Sequence, residues 1–296
     1  MNTSEHLTHP HQSERLVTKI SPLMRRAAQV GAYGRYINEG ASHQEALQQA
    51  TENVARDHEL LEINEADASF IDLLGRTGGF VEAQHQLDTY KQMRRSGDRL
   101  SDEQKEHMRQ LKLEHAIPFN HSLKEFINQH PSSTIDETTA ALTSAYVSLF
   151  QTRSEYGHII DKKEAHDSLR TVVDGMRHEI AAETLLSAAG IEYDYEVSVE
   201  DDSRGRDLYV ILGDQKYHID IKSSLTAERR GRKAHPDTPI VWTGLKDADF
   251  TGLKGDTPGS LIVPFSIDQQ KVDRFVQNID DGIRYAQDVD YRARSR

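Results

Sequence analysis

The spacing of apolar side chains changes character along this chain, and the change divides it. Through the first 130 residues the period is helical. Leu23, Ala27, Val30 and Tyr33 recur at helical spacing, as do Leu60 and Ile63 ahead of Leu73 and Leu74. Ser101 with Gln104, and Thr134 with Glu137, have the Ser/Thr-x-x-Gln/Glu form of a capping box and predict two helix starts. Gly78–Gly79, Ser96–Gly97, Pro118 and Pro131 punctuate the stretch. From Thr134 a helical pattern through Leu142, Tyr146, Leu149 and Phe150 runs toward Leu169. The expectation is an all-α N-terminal domain over 1–130 and a helical connector over 131–169.

Beyond residue 170 the period shifts. Gly175 to Gly190 is rich in alanine and leucine and closes on a glycine suited to a helix C-terminus. Tyr193, Tyr195, Val197 and Val199 then alternate with Asp194, Glu196 and Ser198, the period of a half-buried strand. Two apolar runs, Asp207–Leu212 and Gln215–Lys222, flank Gly213–Asp214 and predict a β-hairpin. Strands over Ile240–Thr243 and Leu261–Phe265 and a helix from Gln269 to about Ala286 complete an α/β domain over 170–296 with a mixed sheet.

The hairpin has a chemical consequence. With a two-residue loop Leu212 pairs with Gln215, which puts Asp207 opposite Asp220; a four-residue loop puts Asp207 opposite Lys222. Either register leaves Asp207, His218, Asp220 and Lys222 on one face, and Tyr217, Ile219 and Ile221 on the face toward the core. Opposed carboxylates have Cβ atoms about 5 Å apart and repel. Lys222 supplies one positive charge, and a hard cation such as Mg²⁺, which takes carboxylate and water oxygens, resolves the excess. On the helix, Glu179 and Glu183 share a face with Leu186, and a glutamate on a packed face needs a partner.

An Asp-x-Lys triplet alone is a common accident, and its plain reading is a solvated ion pair on an exposed strand. The ordered set is more specific. Gly175-x-x-x-Glu179 with Leu186 and Gly190, then Gly205-Arg206-Asp207, then Asp220-Ile221-Lys222 at the end of a hairpin resembles the PD-(D/E)XK nuclease superfamily. The resemblance spans residues 175–224, and Arg206 stands where the family name has proline. It implies a nuclease core of one helix and a three-stranded β-meander, followed by further strands and a C-terminal helix. It also implies one or two Mg²⁺ ions, with Mn²⁺ as a substitute, held by Glu179, Asp207, Asp220 and the backbone carbonyl of Ile221. Lys222 would orient or activate the attacking water. Glu183 is the alternative acid on the helix, and His218 a candidate accessory group whose plain reading is a satisfied surface histidine. The implied activity is a Mg²⁺-dependent nuclease, DNA favoured over RNA, with endonucleolytic cleavage expected.

Candidate substrate contacts follow from charge. Arg229, Arg230, Arg232 and Lys233 cluster just past the Asp-x-Lys strand, where they read equally as a solvated loop or as a phosphate-contacting one. Arg204, Arg206 and Ser223 flank the same site, and Trp242 reads as sheet packing or as a base-stacking group. The net charge of −12 argues against a general nucleic-acid coating protein, yet residues 1–170 and 171–296 each carry −6, so whole-domain charge does not locate a binding site. Absence of cysteine excludes disulfides and thiolate zinc sites. No apolar run approaches the roughly 20 residues that span a bilayer, and the opening residues, with His6, His9 and His11, do not resemble a signal peptide. A cytoplasmic protein without membrane contact is expected. The Gly252–Gly259 segment lacks the ending of a P-loop, and neither a His-Glu-x-x-His nor a Gly-x-Ser-x-Gly pattern occurs. The helical domain is expected to recognise substrate, a partner protein or a second copy of the chain. Two rival readings remain open: a catalytically inactive nuclease fold that binds or assembles, and a helical interaction protein.

Overall fold

The computed structural model of the protein describes residues 65–147, 160–194 and 207–294. The helices expected around residues 23–33 and 60–63, the positions Leu149 and Phe150, most of the strand expected at 193–199, and Arg204 and Arg206 lie outside the described residues.

Helix α1 (Glu65–Arg95) runs straight through Gly78–Gly79, which were expected to interrupt it. The reason is packing: a Cβ at Gly79 would lie 2.6 Å from Nδ1 of His115, so a glycine is needed where the following segment crosses α1. Helix α2 (Asp102–Leu111) starts at Ser101 with both hydrogen bonds of its capping box formed. A π-helical turn (Lys112–Ala116) leads into α3 (Ile117–Gln129). Pro118 sits in the first turn of α3, where its missing N–H costs little, and does not separate the elements. Helix α4 (Ile135–Ala145) begins with the Thr134–Glu137 capping box, also complete.

The expected boundary at 169–170 falls inside one 28-residue helix, α5 (Lys162–Ala189), capped by Asp161 and ended by Gly190 at φ +69°. An unbroken apolar stripe explains this. Ala165, Leu169, Val173 and Met176 pack with Phe119, Leu123, Leu142 and Tyr146 in a helical core. Further along the same helix, Ala181, Ala182, Leu185 and Leu186 pack in a second core against the sheet. A helix amphipathic along its whole length buries both ends and needs no linker.

The sheet has four strands in the order β1–β2–β3–β4. Strands β1 (Glu192–Asp194), β2 (Leu208–Leu212) and β3 (Gln215–Lys222) are antiparallel. Strand β4 (Ile240–Trp242) runs parallel to β3 after a crossover through helix α6 (Leu225–Ala234). The result is a mixed sheet with helices, as the change of period predicted. Leu208, Val210, Ile219, Ile221 and Val241 meet α5 and the last helix, α7 (Gln269–Arg294), through Val272, Phe275 and Ile279.

Leu261–Phe265 is not a strand. Pro264 offers no donor, and the backbone of this segment is spent on loops: Leu261 N–H donates to Ser133 O at 3.1 Å, and Ile262 O accepts from Gly252 N–H at 3.1 Å. Leu261 and Ile262 enter the helical core and Val263 the sheet core, while Phe265 is 76% exposed. No helix among the described residues is long and apolar enough to cross a membrane.

Candidate metal centre

The hairpin turns at Gly213, at φ +61°, with a two-residue loop and the Leu212–Gln215 pair, the first of the two registers open to the sequence. The register continues to Leu208–Ile219, and Ile219 and Ile221 are buried while Tyr217 packs beside them. At Asp207 the regular ladder ends. Its N–H donates to Ile219 O at 3.0 Å instead of pointing away from β3, so the chain bends at Asp207, just ahead of β2. The two aspartates are therefore not a simple opposed pair. The bend carries the Asp207 carboxylate across the strand, where Oδ2 accepts from Ile221 N–H at 2.6 Å.

That bond places Ile221. Asp220 N–H donates to Pro239 O at 3.0 Å and Lys222 O accepts from Thr243 N–H at 3.4 Å, so both residues turn their backbone groups toward β4. Backbone groups alternate along a strand, which turns the N–H and C=O of Ile221 toward Asp207. Asp220 is 4% exposed, and its carboxylate accepts from the Lys222 ammonium.

Electrostatics brings Glu179 into the same group. Burial pushes the Asp207 carboxyl well above the ordinary range, and the charges of Glu179 and Asp220 push it further, against Lys222 and the Ile221 N–H. Burial works to lower the Lys222 ammonium, but Asp220, then Asp207 and Glu179, outweigh it and hold the pKa above its usual value. Glu179, Asp207 and Asp220 thus all act on the one ammonium of Lys222. Glu183 goes elsewhere: its Oε1 is 2.5 Å from Lys124 Nζ on α3.

Among the described residues, no group of three or more His, Asp or Glu side chains stands ready to hold a metal ion. Two of the predicted acids have protein donors instead: Lys222 engages Asp220 and the Ile221 N–H engages Asp207. The donor chemistry nevertheless fits a hard cation: carboxylate oxygens in excess of the local positive charge, with a strand carbonyl on the same edge.

The remaining predicted residues separate. His218 shares the face but packs on Tyr209, ring centroids 4.0 Å apart, with Lys216 over the Tyr209 ring. Ser223 is half-buried, and its neighbour Ser224 caps α6. The basic cluster expected as a loop is helix α6, because that cap and a run of helix formers nucleate it. Arg229, Arg230 and Lys233 are exposed on it. Arg232 is spent internally, 2.6 Å from buried Glu228, against Ile240 O, and over the Tyr285 ring. Trp242 pairs with Lys222, and its carbonyl accepts from Asn278 Nδ2 at 2.8 Å.

Sequence reasoning missed a second charged cluster beside this one. Arg177, 3% exposed at its side chain, reaches Asp174 at 2.6 Å and also Asp247, and lies 4.2 Å over the Phe250 ring. His178 Nδ1 is 2.7 Å from Thr243 Oγ1, and burial lowers the imidazole to about 4. The three-residue spacing of Asp174 and Arg177 was the one local sign of it.

No family model matches the chain, and comparisons with curated proteins and with solved structures return no match.

Proposed function

We propose that the protein is a metal-dependent phosphodiesterase whose centre is Glu179, Asp207, Asp220 and Lys222. More particularly, it is a Mg²⁺-dependent nuclease of the PD-(D/E)XK kind, acting on DNA in preference to RNA and cutting within the strand. The observation that carries this reading is the excess of acid: Glu179 and Asp220 both act on the half-buried Asp207, with Lys222 as the cation among them.

Asp207, Asp220, Glu179 and the Ile221 carbonyl would hold the ion. When bound, Mg²⁺ or Mn²⁺ neutralises phosphate charge and makes a water more acidic. Lys222 stays protonated while the acids surround it, so its part is to donate to phosphate oxygens and steady the charge that develops there. Asp220 aims that ammonium. Arg229, Arg230 and Lys233 are the exposed cations past the strand available to neighbouring phosphates, and Arg232 is not among them.

Incubation with linear, circular and single-stranded DNA and with RNA, in Mg²⁺, Mn²⁺ or EDTA, tests the reading. Metal-dependent cutting of circular DNA is expected. If no substrate is cut, or if Lys222→Ala and Asp220→Asn cut like the wild type, the reading is wrong. One observation favours a catalytically inactive module instead: Asp220 and Asp207 already have protein partners. That module would bind nucleic acid in EDTA and leave it whole in every metal.

A further inference from the structure

Among the described residues of the helical region, basic side chains gather at one cleft. Residues 91–112 hold seven Lys or Arg against four Asp or Glu, a local +3 in a chain of −12. Where α1 turns into α2 the fold encloses a cleft of about 550 Å³, and Arg94, Arg99, Lys105, Arg109 and Lys112 line it, with Asp98 the one acid among them. Leu100 and Met108 supply its apolar lining.

Part of this charge has a local explanation. Arg94 belongs to the last turn of α1 and Arg109 to that of α2, where cations favour the helix dipole. Lys105 pairs with Asp102, and Arg109 lies 3.5 Å from Glu106, both exposed contacts within α2. Such contacts are worth less than about 1 kcal/mol and are easily exchanged for a ligand oxygen. Neither Arg94 nor Arg99 makes an ion pair among the described residues, although both are exposed and close to the other cations.

The corner is rigid. Tyr90 Oη is 2.9 Å from His107 Nδ1, Leu87 and Leu111 share a small core with Tyr90 and Met108, and Asp98 N–H closes on Met93 O across Gly97 at φ +93°. Cations held on such a frame lose little freedom when a ligand arrives. Lys105, Arg109 and Lys112 follow one another along one helix face over about 10 Å at 1.5 Å per residue, the length of about three phosphates of one strand.

We propose that this α1–α2 cleft is a phosphate-binding site that docks the backbone of a nucleic-acid strand. The proposal rests on the nucleic-acid reading of the centre, and it assigns the helical domain a part in holding substrate.

The test is fluorescence anisotropy of the full chain with a labelled DNA duplex in EDTA, where cutting does not intervene, over a range of salt. Arg94→Ala with Arg99→Ala is expected to weaken binding by about 10-fold or more and to reduce the salt slope by about 2. Arg94→Lys with Arg99→Lys is expected to keep most of both, and far-UV circular dichroism should match the wild type, since the two side chains are exposed. Unchanged affinity and slope in the alanine variant would overturn the proposal, as would a wild type that does not bind DNA. Polyglutamate that displaces the duplex as well as unlabelled DNA does, charge for charge, would also overturn it and assign the cleft to an acidic polypeptide. Cleavage in Mg²⁺ is measured separately, so failure of the nuclease reading and failure of the cleft are told apart.

Discussion

Consecutive positions of α5 serve two charged clusters of opposite character. Arg177 and His178 belong to the first, where one guanidinium meets Asp174 and the exposed Asp247, stacks on Phe250, and stands beside an imidazole bonded to Thr243. Every strong charge there has a partner, and burial keeps the histidine neutral. Glu179, the next residue, acts on the second cluster, in which Asp220 holds the Lys222 ammonium and burial, Glu179 and Asp220 drive Asp207 toward its protonated form. The first network, two carboxylates to one guanidinium with Asp247 open to water, ties α5 to the 243–250 segment. The second, whose acids raise the Asp207 carboxyl beside a single ammonium, stores repulsion that a ligand can relieve, and such perturbed groups gather at functional sites.

The largest expected effect breaks the second cluster. Asp220→Asn should lower DNA cleavage at least 10²–10³-fold, the scale of losing one electrostatic contact to a transition state, with the fold unchanged. Glu179→Gln should fall likewise and Glu183→Gln should not, because Glu183 is engaged with Lys124. Equal activity of the two glutamine variants would exchange their roles.

Next in size is the pH response of the first cluster. His178 binds a proton near 4 when folded and near 6.5 when unfolded, so in that window the unfolded state holds more protons and stability falls as pH drops. The full loss from pH 6.5 to 4 is about 3 kcal/mol. Urea unfolding at pH 7 and pH 4.5 should show most of it in the wild type and much less of it in His178→Asn; superimposable profiles would remove the assignment.

Arg177→Ala should cost about 2 kcal/mol, since it removes hydrogen bonds to charged groups but leaves carboxylates that water can reach. Thermal melting reads the loss, while cleavage per folded molecule should hold. A parallel fall in cleavage would show that the clusters are coupled.

The smallest effect has the opposite sign. Asp207→Asn relieves repulsion and keeps an acceptor for Ile221 N–H, so metal-free protein should melt about 2–4 °C higher, the shift that about 1 kcal/mol produces in a chain region of this size. Mg²⁺ should raise the melting point of the wild type and leave this variant unmoved. A destabilised Asp207→Asn would mean that the cluster is structural after all.

What the residues determine on their own is local. Two capping boxes, the Gly213 turn and the inward turn of Ile219 and Ile221 all follow from contacts within a few positions, which period and turn chemistry specify, while the choice between the two hairpin registers is made only in the folded sheet. The Asp220–Lys222 pair is legible for the same reason. What tertiary structure decided depends on partners far along the chain. Lys124 on α3 claims Glu183 and leaves Glu179 to act on Asp207; Glu228, Ile240 and Tyr285 together occupy Arg232. Ser133 and Gly252 take the backbone that would have made a strand of Leu261–Phe265, and two separate cores draw α5 into one helix across the expected boundary. Periodicity says which face of an element is buried, but the identity of what lies against it is set by packing at long range.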